Sequence, residues 1–171
     1  ALGLQVKIVE PLNQRSGYDY CSLSEVLQAD IISCHVPLTK KGEHATFHLF
    51  DDLKLQQLVP EQLLINTSRG AVVDNYALKR LLQQGKGPTA WLDVWEGEPT
   101  VDDELLALVR MGTPHIAGYT VEGKWRGTWM LYQAWQAFYR LGQPEQAMPQ
   151  LAPKRVWEED IDSLEDLLRL L

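Results

Sequence analysis

Short apolar runs alternate with stretches of helical spacing along most of this 171-residue chain. The clearest strand candidates are Ile31–Cys34, Leu63–Asn66 and Thr89–Val94, and a segment with helical spacing separates each from the next. This alternation is typical of parallel strands whose crossover helices cover both faces of the sheet. We therefore predict an α/β fold with a doubly wound parallel sheet.

Polar residues and breakers predict where the helices begin and end. Ser22, with Glu25 three residues later, has the capping-box pattern and predicts a helix from Leu23 to Gln28. Asp51 and Asp74 are placed to cap two more helices, which Pro60 and Gly85 end. The other predicted elements are a strand over Gln5–Glu10, a helix over Asp102–Val109, a strand over Thr113–Ile116 and a long aromatic-rich helix over residues 120–140.

Charge and composition exclude several classes of partner. A net charge of −7 makes nucleic acid and anionic membranes unfavourable partners. No apolar run approaches the length that spans a bilayer. Cys21 and Cys34 lack metal-ligand spacing, and we interpret them as reduced thiols of a cytoplasmic protein.

The two ends of the chain suggest a piece of a longer protein. The segment from Ala1 to Leu4 is typical of a helix that leads into a strand. Residues 1–142 are expected to form one domain, and residues 143–171 a proline-containing linker and a short helix that could open a dimerisation domain.

Three residues of complementary chemistry follow predicted strands or lie in the loops after them: Arg69, Glu98 and His115. A guanidinium matches a carboxylate, and an imidazole exchanges a proton near neutral pH. A nearby carboxylate orients the imidazole and favours its charged form. This set favours alcohol–ketone redox on a 2-hydroxy acid. Taken singly, Arg69 and His115 are more often structural, and Glu96 competes with Glu98 as the partner of His115.

The runs Asn66–Asp74, Leu92–Pro99 and Thr113–Gly118 succeed one another along the chain. They resemble the signatures of the D-isomer-specific 2-hydroxyacid dehydrogenases, and the resemblance covers roughly residues 1–142. It implies the C-terminal part of a Rossmann-type NAD-binding domain, in which the βα unit with the Gly-rich loop would precede Ala1. The nearer resemblance is to members that oxidise 4-phospho-D-erythronate with NAD in pyridoxal 5'-phosphate (vitamin B6) biosynthesis.

The resemblance also implies roles for individual residues. Arg69 would bind the substrate carboxylate and also line the cofactor, His115 would be the general base, Glu98 would support His115, and Tyr119 would contact substrate. Glu10 would accept the adenosine ribose hydroxyls and favour NAD over NADP. The remaining residues expected to contact NAD are Val36, Thr67, Ser68, Asp93 and Gly118.

Other assignments stay open from the sequence. Lys124 and Arg126 could bind a substrate phosphate or form the solvated side of the long helix. No role is predicted for His35, His44 or His48. The substrate could instead be phosphoglycerate, glyoxylate or hydroxypyruvate. The chain could also be a non-catalytic nucleotide-sensing module. The resemblance implies a homodimer for the full-length protein, and the chain alone is expected to be inactive and to bind NAD weakly.

Overall fold

The computed structural model describes residues 3–142, and within them it contains a four-stranded parallel sheet in the order β1-β2-β3-β4. The strands are β1 (Ile31–Cys34), β2 (Leu63–Asn66), β3 (Thr89–Leu92) and β4 (Met111–Gly112). β1 and β2 begin and end at the predicted residues. The prediction of an α/β fold with a parallel sheet is confirmed, and every carboxyl end of these strands lies at the same edge.

One helix precedes β1, and the others lie between or after the strands: α1 (Leu23–Val26), α2 (Asp52–Leu55), α3 (Asn75–Gln83), α4 (Asp103–Leu108) and α5 (Val121–Phe138). Side-chain oxygens cap all five N-termini, because a backbone N–H in the first turn of each helix needs an acceptor. The caps are Ser22, Asp51, Asp74, Asp102 and Thr120. Gly85 follows α3 with φ 66°, as predicted for a helix-ending glycine.

The core lies between the sheet and helices α2, α3 and α4. Leu64 and Leu92 from the strands and Leu78 and Leu105 from the helices are fully or almost fully buried. Cys34 belongs to this core, where burial raises the pKa of its thiol to about 12. A thiol with that pKa is not ionised at neutral pH and therefore is not a nucleophile.

Two predicted strands are wrong. In Gln5–Glu10 only Ile8 makes a strand-like pairing, with Tyr20. A strand needs a continuous row of hydrogen bonds to a neighbour, and this segment pairs with none of the four strands of the sheet. In Thr113–Ile116 the backbone forms a loop, since His115 has φ 56°, which a strand cannot accommodate. The short helices α1 and α2 also end earlier than predicted.

The described chain divides into two compact units. Residues 7–118 form the unit that contains the sheet, while residues 3–6 and 119–142, with α5, belong to the other. Helix α5 exposes many of its aromatic residues, including Trp125, Trp135 and Phe138. Among the described residues no helix is both long and apolar enough to cross a membrane. The predicted linker and final helix lie outside the described residues.

Candidate active site

The predicted catalytic residues lie at the carboxyl edge of the sheet. Arg69 comes three residues after β2, and Glu98 is in the loop that follows β3. His115 comes three residues after β4. Ligands of open parallel sheets bind outside this edge, so the topology places all three groups where a substrate would bind.

His115 and Glu98 form a hydrogen-bonded pair. The Nδ1–H of His115 donates to Oε2 of Glu98 at 2.8 Å, and the imidazole is 47% exposed. The second carboxylate oxygen of Glu98 accepts the backbone N–H of Trp95 at 2.6 Å. With Nδ1 bonded to the carboxylate, Nε2 of the neutral ring keeps a free lone pair. The pair is therefore arranged for an exposed base that takes a proton at Nε2.

Asp93 holds the loop that carries His115. The Thr113 hydroxyl and the backbone N–H of Ile116 donate to Oδ1 of Asp93, and the N–H of Ala117 donates to Oδ2 at 2.9 Å. The carbonyl oxygen of Asp93 also accepts the N–H of His115 at 2.7 Å. These bonds stabilise the left-handed backbone of His115, which by itself costs about 1–3 kcal/mol.

Burial raises the pKa of Asp93, but the hydrogen bonds to its carboxylate more than compensate. The Thr113 hydroxyl and the N–H groups of Ala117 and Ile116 favour the ionised form, and so does the nearby His115. The net effect is a pKa below the ordinary value of an aspartic acid. The ionised Asp93 carboxylate consequently anchors the loop that carries His115.

Arg69 projects from a turn that the buried Asn66 organises. The side-chain oxygen of Asn66 accepts the N–H and hydroxyl of Ser68, and its amide donates to the carbonyl oxygen of Arg69. An Nη1–H of the Arg69 guanidinium donates a hydrogen bond to the carbonyl oxygen of Ser68 at 2.6 Å. No carboxylate of residues 3–142 forms a salt bridge with Arg69, so its outer N–H groups remain available for an anionic ligand.

Two residues join the Arg69 turn to the Glu98 loop and to the His115 loop. A Cβ at Gly70 would lie 2.0 Å from the carbonyl carbon of Trp95, so only glycine permits this approach of the two backbones. The buried indole of Trp95 donates its Nε1–H to the carbonyl oxygen of Thr113 at 3.0 Å. The three loops that carry Arg69, Glu98 and His115 are therefore in direct contact, through two residues for which the sequence predicted no role.

Comparison with known proteins identifies the family of this chain. Residues 1–117 match the model of the D-isomer specific 2-hydroxyacid dehydrogenase NAD binding domain. The chain belongs to this dehydrogenase family. The erythronate-4-phosphate dehydrogenase of Pseudomonas fluorescens is 50% identical over 145 residues, which are 84% of this chain and 38% of that protein. Its counterpart from Shewanella halifaxensis is 43% identical over 176 residues, with 99% of this chain and 47% of that protein covered.

Solved structures of the family have the same fold. The D-lactate dehydrogenase of Aquifex aeolicus, complexed with NAD and lactic acid, matches with a TM-score of 0.62 and 31% identity over 81% of this chain and 47% of that chain. The NAD-complexed enzyme of Lactobacillus delbrueckii matches with a TM-score of 0.62 and 26% identity, covering 78% of this chain and 45% of that one. The chain spans less than half the length of each of these relatives.

The residues expected to contact NAD in this dehydrogenase domain have different surroundings. Thr67 and Ser68 follow β2 and Val36 follows β1, all at the carboxyl edge. Glu10 accepts the N–H groups of Leu12 and Asn13 with Oε1, which leaves Oε2 without a partner among the described residues. That oxygen can accept a hydrogen bond from a ribose hydroxyl, so Glu10 is compatible with NAD.

The surroundings of Asp93, Gly118 and Tyr119 neither require nor exclude their predicted roles. Both oxygens of Asp93 already bind the loop, so a carboxamide contact would have to share them; this role remains a prediction. A Cβ at Gly118 would meet no protein atom, so nothing in the described protein itself requires glycine there. Tyr119 belongs to the other unit, where Lys124 Nζ lies 3.2 Å from its ring centroid. Its substrate contact likewise remains a prediction.

The structure also decides between Glu96 and Glu98 as the partner of His115. Glu98 binds His115, whereas Oε1 of Glu96 accepts a hydrogen bond from Nε2 of His48 at 2.8 Å. No role was predicted for His48 from the sequence, and the structure shows its pairing with Glu96. The two residues are 48 positions apart, and no local pattern in the sequence connects them.

Proposed function

We propose that this chain forms part of an NAD-dependent enzyme that oxidises 4-phospho-D-erythronate to 2-oxo-3-hydroxy-4-phosphobutanoate, in pyridoxal 5'-phosphate biosynthesis. The observation that carries the proposal is the His115–Glu98 pair, exposed at the carboxyl edge, in which Nε2 has no hydrogen-bond partner among residues 3–142. Identities of 43% and 50% to relatives named for this substrate support the narrower choice within the family.

In the proposed reaction each protein group has one task. The Arg69 guanidinium binds the C1 carboxylate of the substrate and orients the C2 hydroxyl towards His115. Nε2 of His115 removes the hydroxyl proton as the C2 carbonyl forms, and Glu98 stabilises the resulting imidazolium. The chemistry that NAD supplies when bound is acceptance of the hydride from C2. Thr67, Ser68, Val36, Asp93, Gly118 and Glu10 are proposed to hold the cofactor.

An assay of substrate choice tests this function. The whole protein in which this chain occurs is given 4-phospho-D-erythronate, 3-phosphoglycerate, glycolate or D-glycerate with NAD, and the reduced nicotinamide is followed by absorbance. We expect the highest kcat/KM with 4-phospho-D-erythronate. A much higher value with another acid would assign the protein to a sister dehydrogenase. Turnover of none of them, with ligand-dependent binding of a partner that survives His115→Ala, would indicate a sensing module.

The same preparation tests the remaining proposals. A carboxylate at Glu10 disfavours the additional phosphate of NADP, so we propose NAD as the preferred cofactor and expect Glu10→Ala to reduce the preference. We also propose a cytoplasmic homodimer for the whole protein. Light scattering that gives the mass of one subunit at the assay concentration would contradict the dimer.

A further inference from the structure

Two histidines in the sheet unit share a rare backbone conformation. His48 has φ 48° and His115 has φ 56°, and they are the non-glycine residues with positive φ described within residues 7–118. A non-glycine residue in this region costs about 1–3 kcal/mol and persists only where surrounding contacts hold it. Both histidines pair with a glutamate from one loop, His48 with Glu96 and His115 with Glu98.

Four contacts hold His48 in place. Its backbone N–H donates to the carbonyl oxygen of Ala71 at 2.7 Å. Its Nε2–H donates to Oε1 of Glu96 at 2.8 Å, while Nδ1 lies 3.6 Å from Oδ2 of Asp74. The Phe47 ring stacks on the imidazole with centroids 4.1 Å apart. The side chain therefore bridges the segment before α2 to the loop that follows β3.

Glu96 is fixed on its other side by the start of α3. Its N–H donates to Oδ1 of Asn75 at 3.0 Å, and the N–H of Asn75 donates to Oε2 of Glu96 at 3.3 Å. Asn75 is buried, and its amide donates to the carbonyl oxygen of Val73. Glu96 is thus clamped between Asn75 and His48, with both carboxylate oxygens in use.

Glu98 lies two residues beyond this clamp. Besides His115, the Glu98 side chain has one hydrogen-bond partner among the described residues, the N–H of Trp95, which precedes Glu96 in the sequence. The short loop from Trp95 to Glu98 has little freedom once Glu96 is held. A shift of about 1 Å in a catalytic group can reduce a rate about 100-fold, so a remote anchor of this loop affects the chemistry.

We propose that His48 is a positioning residue for catalysis: by holding Glu96, it fixes the loop that presents Glu98 to Nδ1 of His115. The proposal rests on the proposed function for its kinetic test, since it assigns His115 as the base. Without the His48 bridge, the hydrogen bond between Glu98 and Nδ1 of His115 is formed for a smaller fraction of the time. Nε2 is then less often the unprotonated nitrogen of the neutral ring.

The test compares four variants of the whole protein. His48→Ala removes the bridge, and His48→Gln restores a donor that can reach Glu96. Glu96→Ala removes the acceptor, and the double variant His48→Ala with Glu96→Ala tests whether the two act through one contact. His44→Ala is the matched control, because His44 is exposed, lies four residues earlier and has no side-chain hydrogen bond among the described residues.

Two readouts separate positioning from a general loss of structure. We expect His48→Ala to lower kcat about 10- to 100-fold with less than about a twofold change in KM, and His48→Gln to recover part of the loss. The double variant should be no worse than the poorer single variant. The nitrogen chemical shifts of the neutral His115 ring, from long-range nitrogen–proton NMR, should show the proton on Nδ1 less often in His48→Ala than in wild type or His44→Ala.

Either readout can overturn the proposal. A kcat within about twofold of wild type in His48→Ala, or a His115 ring whose nitrogen shifts do not change, would contradict it. If His48→Ala does not fold, by circular dichroism, then Glu96→Ala, which removes the acceptor of the same contact, decides the question with the same readouts. The NMR comparison needs no turnover, so it still tests the role of His48 if the proposed substrate proves wrong.

Discussion

Gly70 lies so close to Trp95 that a Cβ at position 70 would be 2.0 Å from the Trp95 carbonyl carbon and 2.1 Å from its oxygen. The contact joins the turn that carries Arg69 to the loop that carries Glu98. Gly70→Ala must therefore displace one backbone or the other. We expect a loss of about 1–3 kcal/mol in the free energy of unfolding, measured with urea, together with a fall in kcat.

Gly127→Ala is the control for this substitution. Gly127 lies in the interior of α5, and a Cβ there would meet no atom within 4 Å. Alanine in a helix interior should stabilise by about 0.5–1 kcal/mol. An unchanged stability and kcat in Gly70→Ala would show that the two loops are not packed as described.

The catalytic pair predicts graded losses. His115→Ala removes the group that takes the hydroxyl proton, so we expect kcat to fall about 100- to 10,000-fold. Glu98→Gln keeps an oxygen for the Trp95 N–H but removes the charge that stabilises the imidazolium, so we expect a smaller loss. Steady-state kinetics measures both. Glu61→Gln, at an exposed turn before β2, should leave kcat unchanged. A Glu98→Gln enzyme with full activity would exclude the proposed support of His115.

Lysine should not replace Arg69 in binding the substrate carboxylate. Arg69→Lys keeps the charge but loses the planar fork that binds a carboxylate through two hydrogen bonds. A hydrogen bond to a charged group contributes about 1.5–3 kcal/mol, so kcat/KM should fall about 10- to 100-fold even in the lysine variant. Arg69→Ala should be worse, and Arg110→Ala, with its exposed side chain after α4, should match wild type. Equal kcat/KM for Arg69→Lys and wild type would contradict bidentate binding.

The sequence correctly predicted elements whose formation depends mainly on neighbouring residues in the chain. Leu63–Asn66 is an apolar run long enough for a buried strand, and Asp74 precedes a helix that needs a cap, so both elements were predicted correctly. Gln5–Glu10 has the same kind of pattern, but a strand also depends on hydrogen bonds from a neighbour, and these are not encoded in the segment itself.

In the candidate site, too, some features were predictable from the sequence and others were not. Residue types and the family resemblance selected His115 and Glu98, and the structure pairs them. The contact between Gly70 and Trp95, and the pairing of His48 with Glu96, depend on how loops far apart in sequence meet at one edge. No spacing rule connects residues 48 and 96. Such supporting contacts become visible only when the fold is known.

Asp93 predicts a dependence of stability on pH. Its pKa in the folded protein lies below the unfolded value of about 3.9, because four hydrogen-bonded and charged groups of the Thr113–Ala117 loop favour its ionised form. A lowered folded pKa means that the stabilisation is fully present above the unfolded pKa. It is lost as the pH falls from there through the folded pKa, where the carboxylate is protonated.

Asp93→Asn should remove this dependence and loosen the catalytic loop. In wild type the N–H groups of Ile116 and Ala117 each donate to a different oxygen of Asp93. Asparagine offers an oxygen to one of them and an NH₂ group to the other, so one backbone N–H loses its acceptor, at a cost of about 1–3 kcal/mol. Urea unfolding at neutral pH and at several values below pH 4 should therefore show a lower free energy and a flatter pH profile than wild type. Asp30→Asn, whose exposed side chain makes no described hydrogen bond, should keep the wild-type profile. An unchanged slope in Asp93→Asn would mean that the Asp93 carboxylate does not hold this loop.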